Sequence, residues 1–317
     1  MTSTGARLRF VKGHGTENDF VLLPDLDGAL SLDAATVAAI CNRRSGIGGD
    51  GVLRLVPVDR EPDAAAYRGQ ADWFMDYRNA DGSIAQMCGN GIRVFARYLV
   101  EAGLQPPGQF PIATRGGVRT VTCDRTGDIT VDMGEYALPD LGAVSVTVGE
   151  RSWPALAVTM PNPHAVVFVD DLDDAGDLLT APQVTPGAFP DGVNVEFVIV
   201  RGPRHVAMRV HERGSGETRA CGTGACAVMV AAARRAGNAA PTTYRVEQPG
   251  GPLLITLTAD GRVEMTGPAV LVAHGDWLLG GEFGSSSGVD PCHADVLNSA
   301  GTSWAGTAST GSTTGTV

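Results

Sequence analysis

The sequence predicts an α+β fold of two pseudo-symmetric halves, each a curved, mostly antiparallel sheet around a central helix. An internal repeat points to it, and so does the presence of one strongly apolar helix in each half of a chain otherwise patterned as short strands. In the first half Cys88-Gly89-Asn90-Gly91 opens the apolar run Ile92 to Leu99; in the second Cys221-Gly222-Thr223-Gly224 opens Ala225 to Ala233. Asn18-Asp19-Phe20-Val21 is matched by Asn162-Pro163-His164-Ala165-Val166, and Asp50-Gly51-Val52 by Asp191-Gly192-Val193. The partners lie 144, 141 and 133 residues apart in chain order. Three matches in one order read as two copies of one architecture.

Leu8-Arg9-Phe10-Val11 has strand patterning, and Leu32 to Asn42 reads as helical. Residues 89–102 carry Ile92, Val94, Phe95, Tyr98, Leu99 and Val100, while 222–236 is Ala-rich and apolar on most faces until Arg234-Arg235. A helix apolar on most faces is buried. Both helices meet a glycine stop, Gly103 and Gly237. Val118 to Thr122 and Leu253 to Thr258 alternate as strands, with Ala259-Asp260-Gly261-Arg262 as a turn. The expected boundaries are an N-terminal half over 1–134, to which 266–283 returns, and a C-terminal half over 135–265. Of the 34 residues in 284–317, 19 are Gly, Ser or Thr. Such a tail buries too little apolar area to offset its ordering entropy, so disorder is expected there.

Length supports two halves with proper cores: 317 residues correspond to about two domains. No uninterrupted apolar run approaches the roughly 18 to 20 residues of a membrane span, and the N-terminus lacks the apolar core of a secretory signal. A soluble, cytoplasmic protein is expected. The net charge of −11 argues against general affinity for nucleic acid or anionic lipid, so any bound anion needs a local site. Six cysteines, at 41, 88, 123, 221, 226 and 292, are too sparse for a disulfide framework, and no CxxC pair suggests zinc.

Cys88 and Cys221 each stand at a helix start followed by Gly-x-Gly. Free N–H groups and the helix dipole favour anions there and lower a thiol's pKa, and glycine lets a ligand approach the backbone. Two such halves present two thiols to one ligand from opposite sides, with both helix ends directed at a shared carboxylate. Inverting a stereocentre beside a carboxylate needs one group to remove the α-proton and another to deliver a proton on the opposite face. N–H groups already in place meet the charge that builds on the carboxylate. A lone cysteine at a helix start is more often a small buried apolar residue, but duplication tells against that here. Cys41, Cys123 and Cys226 lack duplicates and read as core packing. Cys292 and His293 in the tail read as non-functional.

The sequence resembles the diaminopimelate epimerase family of pyridoxal-phosphate-independent amino-acid epimerases over about residues 8 to 280. The resemblance rests on Asn79-Ala80-Asp81-Gly82-Ser83 with Met87 to Gly91, on Glu212 to Thr218 with Ala220 to Gly224, and on Gly13 to Phe20, Asn162-Pro163-His164 and Asn194 to Phe197. It implies the family's fold, no metal or organic cofactor, and a homodimer acting on a symmetric diamino diacid, the LL and meso forms of diaminopimelate, in lysine and peptidoglycan precursor synthesis. Carried over by position, the two bases fall on Cys88 and Cys221. Backbone around Gly89-Asn90 and Gly222-Thr223 would bind the reacting carboxylate. Asn18, Asn79, Asn162, Asn194, Glu212 and Arg213 match the contacts to the distal end and the ammonium groups. Arg213 offers a fork to a carboxylate, the asparagines a donor and an acceptor, and Glu212 a partner for an ammonium. His164 reads equally as an orienting residue or as packing.

Two departures stand out. Gly51 lies where many members carry glutamine, and Pro161 replaces a glycine that often precedes the asparagine. A proline or hydroxyproline racemase of the same fold is the near alternative, disfavoured by Glu212-Arg213 and the several asparagines. A thiol–disulfide redox protein and a non-catalytic amino-acid binder are further alternatives; α-deuterium incorporation in deuterated water separates both from an isomerase.

Overall fold

Runs that alternate between buried and half-exposed side chains, as over 129–133, and runs buried on both faces, as over 51–56, form eighteen strands, hydrogen-bonded into one continuous sheet, in the computed structural model, which describes residues 7–278. The first half contributes β1 (Arg7–Gly15), β2 (Asn18–Pro24), β3 (Gly51–Pro57), β4 (Trp73–Asn79), β5 (Gly108–Thr114), β6 (Gly117–Cys123) and β7 (Ile129–Glu135). The second contributes β8 (Val144–Val148), β9 (Arg151–Thr159), β10 (Pro163–Phe168), β11 (Gln183–Val184), β12 (Asn194–Gly202), β13 (His205–Glu212), β14 (Gly216–Thr218), β15 (Thr242–Gln248), β16 (Gly251–Leu257) and β17 (Arg262–Gly267), after which comes β18 (Val270–Leu278). The helices are α1 (Ala34–Cys41), α2 (Gly89–Glu101) and α3 (Gly222–Ala236). This is the α+β class that the sequence predicts.

The same ladder occurs twice. β2 pairs parallel with β3, β3 antiparallel with β4, and β4 parallel with β5. β10 pairs parallel with β12, β12 antiparallel with β13, and β13 parallel with β15. One expectation is corrected by the register. Phe20 stands opposite Gly51 and His164 opposite Asn194, so the strand equivalent of Gly51 is Asn194, not Gly192. Gly192 instead shares its φ of +81° with Gly48. Both glycines make the left-handed turn into a strand, and the Asp-Gly-Val tripeptides are displaced relative to it.

Each long helix packs against strands of its own half: α2 against β1, β2, β6 and β7, α3 against β9, β10, β15 and β16. Every residue from Gly89 to Val100 is buried, as is every residue from Gly222 to Ala233 except Thr223. The small residues Ala225, Cys226, Ala227, Ala231, Ala232 and Ala233 let strands approach the helix closely at little side-chain entropy cost. Gly237 caps α3 with a φ of 67°, whereas α2 caps on Ala102 and turns at Gly103. One apolar cluster continues through both helices and takes in Met133 and Met265. β7 pairs with β17 and β1 with β18, so the sheet edges of the two halves are shared. No helix among the described residues is long and apolar enough to cross a membrane. The expectation for 284–317, with Cys292 and His293, lies outside the described residues.

Candidate active site

Cys88 and Cys221 are the N-cap residues of α2 and α3, each in extended backbone conformation. Gly91 N–H donates to Cys88 Sγ at 3.4 Å and Gly224 N–H to Cys221 Sγ at 3.3 Å, so each sulfur takes the capping place usually held by an oxygen. The helix starts meet head to head. A Cβ at Gly222 would stand 3.6 Å from Gly89 Cα and 3.1 Å from Met265 Sδ, and one at Gly89 would stand 2.7 Å from Met265 Cε. Glycine at 89 and 222 is what allows this approach. A link between the halves runs from Asn90 Nδ2 to the Ala220 carbonyl at 3.3 Å.

The two sulfurs have different surroundings. Cys88 donates to Asn18 Oδ1 at 3.6 Å, and the same oxygen accepts from Asn90 Nδ2 at 3.2 Å. Asn18 Nδ2 donates to Asp50 at 2.8 Å, and because a carboxylate only accepts, that contact fixes which end of the amide faces Cys88. Around Cys221, Thr223 Oγ1 lies at 3.6 Å and Asn194 Nδ2 at 3.9 Å, while Asn194 Oδ1 accepts from Arg213 N–H at 2.9 Å. Glu212 ends β13 and accepts from Thr218 Oγ1. Asn79 ends β4, where Tyr77 donates to its Oδ1 at 2.9 Å and its Nδ2 donates to Ser83 at 3.0 Å. Asn162 lies just before β10 and accepts from His164 Nε2 at 3.1 Å. The exposed Arg213 guanidinium donates to the Asp191 carbonyl at 2.7 Å.

The expected lowering of the thiol pKa values is overturned. Burial pushes the Cys88 thiol up to about 11, outweighing the N–H groups of Gly91 and Asn90 that favour the thiolate. Burial drives Cys221 well above its ordinary value, and the carboxylates of Glu212 and Glu196 add to the effect. Helix-end stabilisation is an effect of about 1 kcal/mol, whereas losing hydration costs a buried anion several. Glu212 itself is raised, by burial first and by Glu196 after it.

Several residues of the site escape sequence reasoning. Glu196 is wholly buried, 2.6 Å from His164 Nδ1, and a Cβ at Gly224 would stand 2.8 Å from its Oε1. Its signals were a charge inside the apolar run Val195 to Val198 and a place in the Asn194 to Phe197 motif, neither of which gave it a role. Gln248 accepts from the Cys221 N–H at 2.7 Å from the end of β15, a contact that only the tertiary fold creates. A groove of about 810 Å³, lined by Phe168, Arg204, Arg235 and Tyr244 among others, lies at the opposite end of α3. Fifteen residues of helix, about 22 Å, separate it from Cys221.

The model of the family described as diaminopimelate epimerase matches residues 10–139 and 156–272. A diaminopimelate epimerase of Streptomyces coelicolor is 61% identical over 284 residues, covering 86% of this chain and 98% of that protein. That of Mycolicibacterium smegmatis is 48% identical over 285 residues, covering 84% and 96%. Among solved structures, a Bacillus anthracis phenazine biosynthesis protein of the PhzF family superposes with a TM-score of 0.64 at 16% identity, covering 86% of this chain and 100% of that one. A hydroxyproline epimerase from Agrobacterium vitis gives 0.59 at 16% identity, covering 85% and 92%. At that identity the structures share the fold alone. The match along the chain and the identity to its relatives show that this protein belongs to the diaminopimelate epimerase family.

Proposed function

We propose that the chain interconverts LL- and meso-diaminopimelate, an isomerase reaction in lysine and peptidoglycan precursor synthesis, with Cys88 and Cys221 as the proton-transferring pair. The observation that carries the reading is the duplicated cap: two thiols at two helix starts that meet at Gly89 and Gly222. A substrate carboxylate at the N–H groups of Gly89-Asn90 and Gly222-Thr223 places its α-carbon between the sulfurs. One sulfur, as thiolate, takes the α-proton while the other, as thiol, delivers a proton to the opposite face. The electron pair left on carbon spreads into the carboxylate, where helix N–H groups stabilise it. Asn18, Asn79, Asn162 and Asn194 supply donors and acceptors for the distal end, with Glu212 for an ammonium and Arg213 for a carboxylate. His164, tied to Glu196 and Asn162, orients the wall behind Cys221.

Cytoplasmic residence and a homodimer belong to the same reading. Five free cysteines among the described residues suit a reducing compartment, and exposed Val270, Val272 and Leu278 on β18 suit burial against a second copy. The test is α-deuterium incorporation in deuterated water. LL-diaminopimelate should exchange with the wild type, and Cys88→Ala and Cys221→Ala should each lose at least about 100-fold, the scale of a general acid or base. Exchange of proline in place of diaminopimelate, or either variant retaining a tenth of wild-type rate, overturns the proposal.

A further inference from the structure

One buried charge near the two thiols has no part in the chemistry above. Arg93, one turn into α2, is fully buried, and among the described residues no carboxylate pairs with it. Its guanidinium donates only to neutral groups: Nε to the Pro268 carbonyl at 3.2 Å, Nη1 to the Gly89 carbonyl at 3.2 Å and to Met265 Sδ at 3.4 Å, and Nη2 to Thr16 Oγ1 at 3.2 Å. The surroundings are built to hold it. A Cβ at Gly15 would stand 2.9 Å from Nη2, and one at Gly267 would stand 3.6 Å from the guanidinium carbon. Arg54 and Arg115 in the same half, by contrast, each sit on carboxylates.

The location gives this charge its meaning. Met265, which accepts from Arg93, also touches the positions of Gly89 and Gly222, so the guanidinium lies behind the meeting point of both helix starts. Thr16, its other partner, donates to Asn90 at 3.3 Å, and Asn90 donates to Asn18 beside Cys88. Thr16 and Glu17 form the two-residue turn between β1 and β2 with φ values of 50° and 61°. Such a turn favours Asn-Gly, and a β-branched residue there is strained unless its surroundings hold it. Burial pulls the guanidinium down to about 10, which leaves it charged at neutral pH. A lone cation in the interior is costly for the fold, and that cost falls when an anion arrives nearby.

We propose that Arg93 is a positioning residue that acts electrostatically: its fixed positive charge is the counter-ion for the negative charge that collects between Cys88 and Cys221 when an α-carboxylate is bound and its α-proton leaves. The inference deepens the epimerase reading and rests on it for its catalytic half. Its effect on the empty enzyme stands apart from that reading, because a cation behind α2 favours the Cys88 thiolate whatever the substrate. The other titratable groups that face Cys88 are Glu212 on β13 and Tyr77 on β4; those near Arg93 are Cys226 on α3 and the exposed Asp128 before β7.

The test compares Arg93→Lys, which keeps the charge and loses the fork, with Arg93→Met, which loses both. Iodoacetamide labelling of Cys88 in the absence of substrate, followed by peptide mapping, reads the thiolate. Its rate at pH 8 is expected to fall about tenfold in Arg93→Met, one pKa unit, and less than threefold in Arg93→Lys. Exchange of the diaminopimelate α-proton should fall at least tenfold further in the Met variant than in the Lys variant at equal substrate saturation, with kcat carrying the loss and KM moving little. The melting temperature of the Met variant should equal or exceed that of the Lys variant. Equal losses in both variants, unchanged labelling in the Met variant, or failure of both to fold would overturn the proposal, because Arg93 would then be a structural strut. Labelling that behaves as stated with no diaminopimelate exchange in the wild type would sink the epimerase reading and leave the electrostatic effect standing.

Discussion

Cys226 and Cys221 share α3 and differ in what surrounds the sulfur. Cys226 lies one turn inside, and burial pushes its thiol up to about 12, with only Arg93 pulling the other way. Cys88, at a helix start, reaches about 11. Labelling of Cys88 in the empty enzyme is therefore expected to rise roughly tenfold for each pH unit between 7 and 10, following the thiolate fraction. A plateau near pH 8 would show that the helix end wins after all. Cys226→Ala should keep full exchange activity and lose about 1 to 2 kcal/mol in denaturant unfolding, the scale of a small core truncation. The two capping thiols were legible in the sequence because they recur at equivalent motifs. Tyr77, Glu196 and Gln248 were not, because their contacts arise from strand register and long-range pairing. The direction of the thiol shifts was misread for a similar reason: a sequence shows the helix start, and burial is a tertiary property.

β4 shows how a strand carries a candidate site residue on a rigid support. Asp76 is completely buried, three residues before Asn79, and meets Arg115 at 2.7 Å, Arg78 at 3.2 Å and Arg54 at 3.5 Å. Burial works to raise its carboxyl, but Arg115 and Arg78 outweigh it and hold the pKa below the usual value. Asp76→Asn should cost about 3 to 5 kcal/mol in denaturant unfolding, since it leaves buried guanidinium groups short of charge. Because the folded pKa is lowered, the stability Asp76 supplies is present above the unfolded value of 3.8 and lost as pH falls through the folded one. The acid limb of the unfolding curve should flatten in the variant. At the far end of α3, Gly237 has a φ of 67° and open space around its Cβ position. Gly237→Ala should cost about 1 kcal/mol from backbone strain alone, without change in exchange rate. That cap was legible as a glycine after the last apolar residue. The parallel pairing of β2 with β3 was not, since parallel neighbours lie far apart in sequence.

Over the whole molecule the buried thiols set an alkaline limit. Cys41 and Cys88 are raised to about 11 and Cys226 to about 12, chiefly by burial, and Cys123 and Cys221 are raised as well. A raised folded pKa stabilises the protein below the unfolded value of about 9 and loses that contribution as pH climbs through the folded values. The melting temperature should therefore fall steeply between pH 9 and pH 11, and Cys226→Ala should fall less steeply. The two-fold plan was legible because the repeat preserves the capping motifs. Its register was misplaced at Gly192 because a three-residue match carries less information than the hydrogen-bond ladder that places Asn194 opposite His164.

The pairing of β1 with β18 sets Arg7 beside Leu278, so β1 leaves the ribosome long before the strand that completes its edge. At about 5 to 20 residues per second, the interval between completion of β7 and emergence of β18 is on the order of ten to thirty seconds. During that time β1 presents an unsatisfied edge, an invitation to chaperones or to another nascent chain. Fragment 7–140 made alone should remain unfolded or aggregate, and adding a synthetic peptide of residues 268–278 in trans should recover part of its strand signal by circular dichroism.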